Sequence, residues 1–304
     1  MSILLTTGGT VKFPGLGLTI EHLIEGFDVF GLHISLSGIL IALAMFLGLF
    51  VTERLAKKTE QNKEHYLDLA IRLVVAGVVG ARVGYVITHW QLFFNDQANV
   101  FNISDGGMSF TGAVVAGIIV SFVYCRQKKL SWFQVCDTAL PGVVLGQIIA
   151  SVGGFFERSA LGTYSEGRFA MQVAMQDVDA KALHMGRSSI GMVKGNFLQM
   201  HPVALYEAGL LVLMLVILLV LWRIKKLNGI ILAIYLMVYG GITFALEFIR
   251  LDSQKLLGTV ISMEHIAAGV LILAGGAILA DQLNKYRIAQ KAQPKNFNSA
   301  KKSK

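Results

Sequence analysis

Seven stretches of the chain carry about twenty consecutive, mostly apolar positions, the length a helix needs to cross the hydrocarbon core of a bilayer. They lie at residues 33–52, 68–89, 109–125, 134–152, 203–222, 229–248 and 259–281. This pattern predicts an all-α fold, a polytopic integral membrane helical bundle of about seven transmembrane helices. The segments between the stretches alternate in charge. Residues 52–67 hold Arg54, Lys57, Lys58 and Lys63, whereas 90–108 hold Asp96 and Asp105 and no basic residue. Basic clusters return at Arg126, Lys128 and Lys129 and at Arg223, Lys225 and Lys226. The end of the chain adds Lys285, Arg287, Lys291, Lys295, Lys301, Lys302 and Lys304. Every second gap is basic, which the positive-inside rule reads as cytoplasmic. The expected topology therefore has the N-terminus outside and the C-terminus cytoplasmic.

This division makes residues 1–282 a single membrane domain and 283–304 a basic, disordered cytoplasmic tail resting on anionic lipid. Within the membrane domain, an outward-facing loop of about 153–202 mixes Phe155 and Phe156 with charges. Re-entrant or amphipathic interfacial segments suit it.

Composition narrows the function classes. Of 304 residues, 54% are hydrophobic and 15% charged, against roughly 25% charged in soluble domains. The 32 glycines fit helices packed backbone to backbone in lipid, and the pairs Gly80/Gly84 and Gly142/Gly146 are expected at such crossings. A formal charge of +8 sits in short bursts between apolar runs and not on one folded face, so it reads as topology and argues against nucleic acid. Cys125 and Cys136 are expected as free thiols near the cytoplasmic face. Residues 1–32 lack a basic leader and a small-residue cleavage site, so no cleaved signal is expected. No spacing of His, Cys and carboxylates suggests zinc, no Gly-x-Ser-x-Gly elbow is present, and no cofactor is expected.

Ionisable groups within spans are costly and mark candidate chemistry. Arg72 lies near the cytoplasmic end of the second span, where its side chain can snorkel. Arg82 lies deeper, in Gly80-Ala-Arg-Val-Gly-Tyr85, and a guanidinium there needs a carboxylate, a carbonyl or a lipid phosphate. Glu247 and Arg250 are expected to close the sixth helix as an i, i+3 pair, with Asp252 following at the surface. His201, Pro202, Tyr206 and Glu207 open the fifth helix, Pro202 suiting its first turn. On an ideal helix the three polar residues do not share a face, so His201 is expected to point away. His89 and Trp90 suit an interfacial belt.

Taken in series, these segments resemble the bacterial prolipoprotein diacylglyceryl transferase family. The resemblance rests on Gly80-Ala-Arg-Val-Gly-Tyr85, Asp105-Gly-Gly-Met-Ser-Phe110, and Pro141-Gly-Val-Val-Leu-Gly146 with Gly153 to Gly162. It continues in His201-Pro-Val-Ala-Leu-Tyr-Glu207 and from Tyr239-Gly to Glu247-Phe-Ile-Arg-Leu-Asp-Ser253. It implies a multi-pass protein of the bacterial plasma (inner) membrane. It also implies transfer of the diacylglyceryl group of phosphatidylglycerol to the lipobox cysteine of a lipoprotein precursor. The partners implied are that lipid or another anionic phospholipid, and the precursor's signal peptide. A thiolate would attack the glyceryl carbon and glycerol phosphate would leave, which calls for a base and for cations on the phosphate. The candidate catalytic residues are His201, Glu207 and Tyr239. Candidate substrate contacts are Arg82, Tyr85, Arg158, Tyr206, Glu247 and Arg250. Arg158 reaches the same face as position 151 provided the helix continues two turns further.

The chain departs from the family pattern at its polar positions. The family's histidine is Thr111 here, and the tyrosine of the first helix aligns with Ser37. In the signature Arg-x-Gly-Asn-Phe-x-Asn-x-Glu, the arginine, both asparagines and the glutamate become Ser151, Gly154, Glu157 and Ser159. The arginine four residues past Tyr239 becomes Thr243. Two readings follow: a transferase with a relocated site, or a catalytically degenerate paralogue that binds phospholipid or lipoprotein precursor without transfer. A transporter is disfavoured, since neither an inverted repeat nor paired broken helices are present.

Overall fold

A computed structural model describes residues 4–7, 9–30, 32–90, 107–174, 191–193, 197–224, 227–251 and 261–292. Asp96, Asp105, Asp252 and the last part of the lysine-rich tail lie outside the described residues. Seven helices among those described are long and apolar enough to cross a membrane. They are α1 (Leu36–Lys58), α2 (Lys63–Thr88), α3 (Phe110–Gln127), α4 (Trp132–Phe156), α5 (Val203–Ile224), α6 (Ile230–Glu247) and α7 (Met263–Ala292). Only 11% to 33% of each span's most apolar window is buried within the protein. Large apolar side chains such as Phe46, Ile87, Val270 and Leu273 are exposed. A soluble surface does not carry such faces, so lipid is their solvent. The chain is a multi-pass helical membrane protein, as its hydrophobic pattern predicts. Helix α7 continues to Ala292, ten residues past the tail boundary expected at 282.

The strands were not predicted. β1 (Leu4–Thr7), β4 (Ile24–Val29) and β5 (Leu32–Ser35) form one antiparallel sheet in the order β1-β4-β5. A second sheet runs β3-β2-β6-β8-β7, built from β2 (Val11–Phe13), β3 (Leu18–Ile20), β6 (Met171–Ala174), β7 (Gly191–Val193) and β8 (Phe197–Met200). The loop after α4 therefore folds as strands where re-entrant or amphipathic segments were expected. In β6 and β8 alternate residues are buried, so one face of the sheet carries apolar side chains. Val11, Phe13, Met171, Val173, Leu198 and Met200 pack with Phe155 of α4, Leu161, Ala204 of α5 and Leu251. This apolar layer anchors the sheet to the ends of two spans, and it fixes the segments 161–163, 201 and 249–251 described below.

The chain divides into two compact units: residues 1–48 with 140–304, and residues 49–139. In the second, α2 packs on α3 at the crossing expected from Gly80 and Gly84. A Cβ at Gly84 would stand 2.7 Å from the Gly112 Cα. Arg72 is paired with Asp68 at 2.9 Å, an i, i+4 bridge on one face of α2. Cys125 and Cys136 are free thiols. In the first unit α6 packs on α7 and, less extensively, on α5.

The α6–α7 contact gives a paired test of close packing. A Cβ at Gly275 would lie 2.6 Å from the Ala233 carbonyl oxygen, whereas at Gly276 it would meet nothing within 4 Å. Gly275→Val should destabilise the detergent-solubilised protein by about 1–3 kcal/mol. Gly276→Val should leave the thermal unfolding midpoint nearly unchanged.

Candidate functional site

The polar groups of the first unit form a seam along one face of α6. Tyr235, Tyr239 and Thr243 recur every fourth residue, so they form one row on the helix that descends by about 12 Å at 1.5 Å per residue. The Tyr235 and Tyr239 rings stack with centroids 5.5 Å apart and 3° between planes. Tyr239 has the Thr243 hydroxyl as a side-chain neighbour and lies in the field of Glu207 and Arg250. Glu207, in the second turn of α5, has the Ser151 hydroxyl of α4 as a hydrogen-bonding neighbour and lies in the field of Arg250. Three helices and the segment after α6 thus set Ser151, Glu207, Tyr239, Thr243 and Arg250 in one neighbourhood. The cluster pairs an acid with a cation and surrounds both with hydroxyls, in a setting where charge–charge forces are weakly screened.

Backbone bonding at the helix ends places the last members. Gly162 N–H donates to the His201 carbonyl at 3.0 Å, and His201 N–H donates to the Thr163 carbonyl at 3.0 Å. On the other side, Thr163 N–H donates to the Ile249 carbonyl at 2.7 Å and Leu251 N–H to the Leu161 carbonyl at 3.0 Å. Residues 161–163 are therefore stitched between the His201 and Arg250 segments. Only glycine fits at the centre, since a Cβ on Gly162 would come within 2.6 Å of the His201 Cβ. The His201 imidazole does not point away from α5, as its helical register suggested. The residue precedes the helix, and Nδ1 lies 3.4 Å from the Tyr206 hydroxyl, the rings 5.9 Å apart. Burial holds its pKa below the usual imidazole value, because desolvation disfavours the charged ring.

Two expectations are corrected. Helix α4 stops at Phe156, so Arg158 does not continue it toward position 151. Arg158 takes a left-handed backbone, φ 54°, and its buried guanidinium is ion-paired with Glu25 of β4. Nor do Glu247 and Arg250 form a pair within one helix. α6 ends at Glu247, and Arg250 lies in an extended bridge opposite Gly162. Glu247, 3% exposed, instead accepts from the Ser262 hydroxyl at 2.8 Å. Ser262 caps α7 with His265: its Oγ accepts from the His265 N–H at 3.3 Å, and Nδ1 of His265 accepts from the Ser262 N–H at 3.2 Å. That reciprocal arrangement is a capping box with histidine in the place of Glu or Gln.

Ser37 and Ser159 are hydrogen-bonded within this unit. The Ser37 hydroxyl donates to the Glu157 carboxylate, and the Ser159 hydroxyl donates to the Gly154 carbonyl at 3.3 Å. Ser151 turns to Glu207 and Thr243 to Tyr239. In the second unit, Arg82 Nη1 donates to the Gly107 carbonyl at 3.1 Å and its guanidinium lies 5.9 Å from the Tyr85 ring centre. Tyr85 stacks on His89 at 4.2 Å. Thr111 is exposed in the first turn of α3. Sequence reasoning missed Glu25, Gln147, Tyr235, Ser262 and His265. The four-residue spacings of Gln147 with Ser151 and of Tyr235 with Tyr239 were the available signal.

Comparison with known proteins agrees with this arrangement. The family model described as "Prolipoprotein diacylglyceryl transferase" matches residues 26–280, a span that holds every residue of the seam. The chain belongs to this family. Relatives named phosphatidylglycerol–prolipoprotein diacylglyceryl transferase include one from Finegoldia magna, 29% identical over 81% of this chain and 92% of its own. One from Thermosynechococcus vestitus is 30% identical over 76% and 84%, and one from Clostridioides difficile is 28% identical over 81% and 92%.

Because the folded protein holds the His201 pKa below its unfolded value of about 6.5, the unfolded chain binds the proton more tightly. The stability contributed by neutral His201 is full above that value and is lost as pH falls through the lower folded pKa. Thermal unfolding scans from pH 7.5 to 5 should show wild type losing stability on acidification, and His201→Gln should show a shallower loss.

Proposed function

We propose that the protein transfers the diacylglyceryl group of phosphatidylglycerol to the cysteine thiol of a lipoprotein precursor. The reaction would occur at the outer half of the bacterial inner membrane, with the N-terminus outside. The observation that carries this reading is the seam of Glu207, Ser151, Tyr239, Thr243 and Arg250 in a chain of the transferase family. Glu207 acts as the base and takes the thiol proton. The thiolate sulfur attacks the glyceryl carbon, the carbon–oxygen bond to phosphate breaks, and glycerol phosphate leaves with the electron pair.

Arg250 stands beside the carboxylate and stabilises the charge that grows on the leaving phosphate. Tyr239 and Thr243 add hydroxyl donors in the low-dielectric interior, where they act more strongly than in water. His201, neutral and set against Tyr206, orients the mouth of α5 and offers a second proton acceptor. Arg82 with Tyr85 is proposed as a separate contact for anionic lipid. Glu247 positions α6 against α7 through Ser262. Arg158 is committed to Glu25, which supports a structural role for it.

Purified protein, phosphatidylglycerol micelles and a synthetic lipobox peptide test the reading by mass detection of the thioether product. Glu207→Gln should lower kcat by roughly 10²–10⁴-fold, the usual worth of a positioned base. Arg250→Ala should lower it by roughly 10²–10³-fold, as for loss of a transition-state donor. Wild-type protein that yields no thioether above a heat-inactivated blank would sink the proposal. Phospholipid retained on such a protein would support the binding paralogue instead.

A further inference from the structure

The end of the seam farthest from Arg250 is closed by an amide that the proposed reaction leaves unused. Gln147 of α4 donates from Nε2 to the Tyr235 hydroxyl at 3.0 Å. Its carbonyl oxygen, Oε1, is fully buried and has no hydrogen-bond partner among the described residues. A buried acceptor left unpaired is costly, and most of all at membrane depth, where water does not stand in. The oxygen also sits at a definite place. Gln147 precedes Ser151 by four residues, so both lie on one face of α4, about one 5.4 Å turn apart. Through Tyr235 the amide continues the seam to Tyr239.

We propose that Gln147 Oε1 accepts a hydrogen bond from a hydroxyl of the phospholipid headgroup and so selects a glycerol headgroup over one without hydroxyls. This rests on the transferase reading above, with the phosphodiester beside Ser151 and Arg250. An acceptor needs a donor, and an ionised phosphodiester has none. A choline has none either, and an ethanolammonium has donors but must carry a full charge to a buried amide, where desolvation penalises it. A glyceryl group supplies two neutral O–H donors. Its three carbons, at about 1.5 Å per bond, reach about one helical turn beyond the phosphate, the step from Ser151 to Gln147.

The test compares phosphatidylglycerol with phosphatidylmethanol, which has the same phosphodiester charge and no headgroup hydroxyl. Binding of each lipid to the full-length protein is measured by displacement of a fluorescent phospholipid, with thioether formation assayed in parallel. Wild type should prefer phosphatidylglycerol, and Gln147→Met should cut that preference by about tenfold, the upper worth of one neutral hydrogen bond. Its affinity for phosphatidylmethanol should be unchanged, which also reports that the variant is folded. Tyr235→Phe, which removes the other partner of the amide, should alter the preference by less than about threefold.

A wild-type protein without preference, an equal loss for both lipids in Gln147→Met, or a full loss of preference in Tyr235→Phe would each overturn the inference. Absence of thioether with the preference intact would overturn the transferase reading alone.

Discussion

Polar side chains within a hydrocarbon slab must satisfy one another, and this constraint orders the first unit more than any other. A carboxylate on α5 or a row of hydroxyls on α6 is costly in hydrocarbon unless another polar group of the protein stands beside it. Glu207 has Ser151 as a side-chain neighbour and lies in the field of Arg250, Tyr239 has Thr243 as a neighbour, and the Tyr235 hydroxyl accepts from Gln147. The helices carry few other means of choosing their rotation, because their remaining faces are uniformly apolar and lipid packs on them as well as protein does. The polar seam therefore sets which face of each span turns inward.

The seam would not hold Arg250 without the extramembrane sheet. Residues 161–163 run between two other segments, and their backbone bonds reach His201 on one side and residues 249–251 on the other. Those bonds form only because the apolar layer of β2, β6 and β8 clamps Leu161 and Leu251 together with Phe155. The same layer explains why α4 stops where it does. Phe155 joins the core of the sheet, Arg158 adopts a left-handed backbone and pairs with Glu25, and the chain turns away from the helix axis. A guanidinium that a helical continuation would have directed along the seam is instead spent on tying β4 to the end of a span.

The sequence made the spans legible because each is a long apolar run, and such runs have few soluble interpretations. It made Ser151, Glu207, Tyr239 and Thr243 legible as candidates because a family pattern marks those positions. The strands escaped notice because they are three to six residues long, too short for alternation to stand out. The partnerships escaped notice for a different reason. Ser37 and Glu157 are 120 residues apart, and neither helical nor strand periodicity links them. The position of His201 was misread because it was projected on the helix that follows it, whereas its backbone belongs to the stitch with Thr163.

Ser151 and Thr243 keep the charge of this region low inside the membrane. An arginine near the centre of a span costs roughly 2.5–3.5 kcal/mol on insertion scales, whereas Ser151 and Thr243 are neutral. Their hydroxyls remove that cost and still donate hydrogen bonds. What remains around the carboxylate is a near-balanced set: Glu207 against Arg250, with neutral donors filling the rest. Glu157 does not upset this balance, since Ser37 holds it at the end of α4, away from the helical face of Ser151. With Arg250 as the cation of the seam, recognition of a phospholipid headgroup also draws on neutral donors and acceptors. The Gln147 carbonyl oxygen, a buried amide acceptor at the far end of the seam, is a group of that kind.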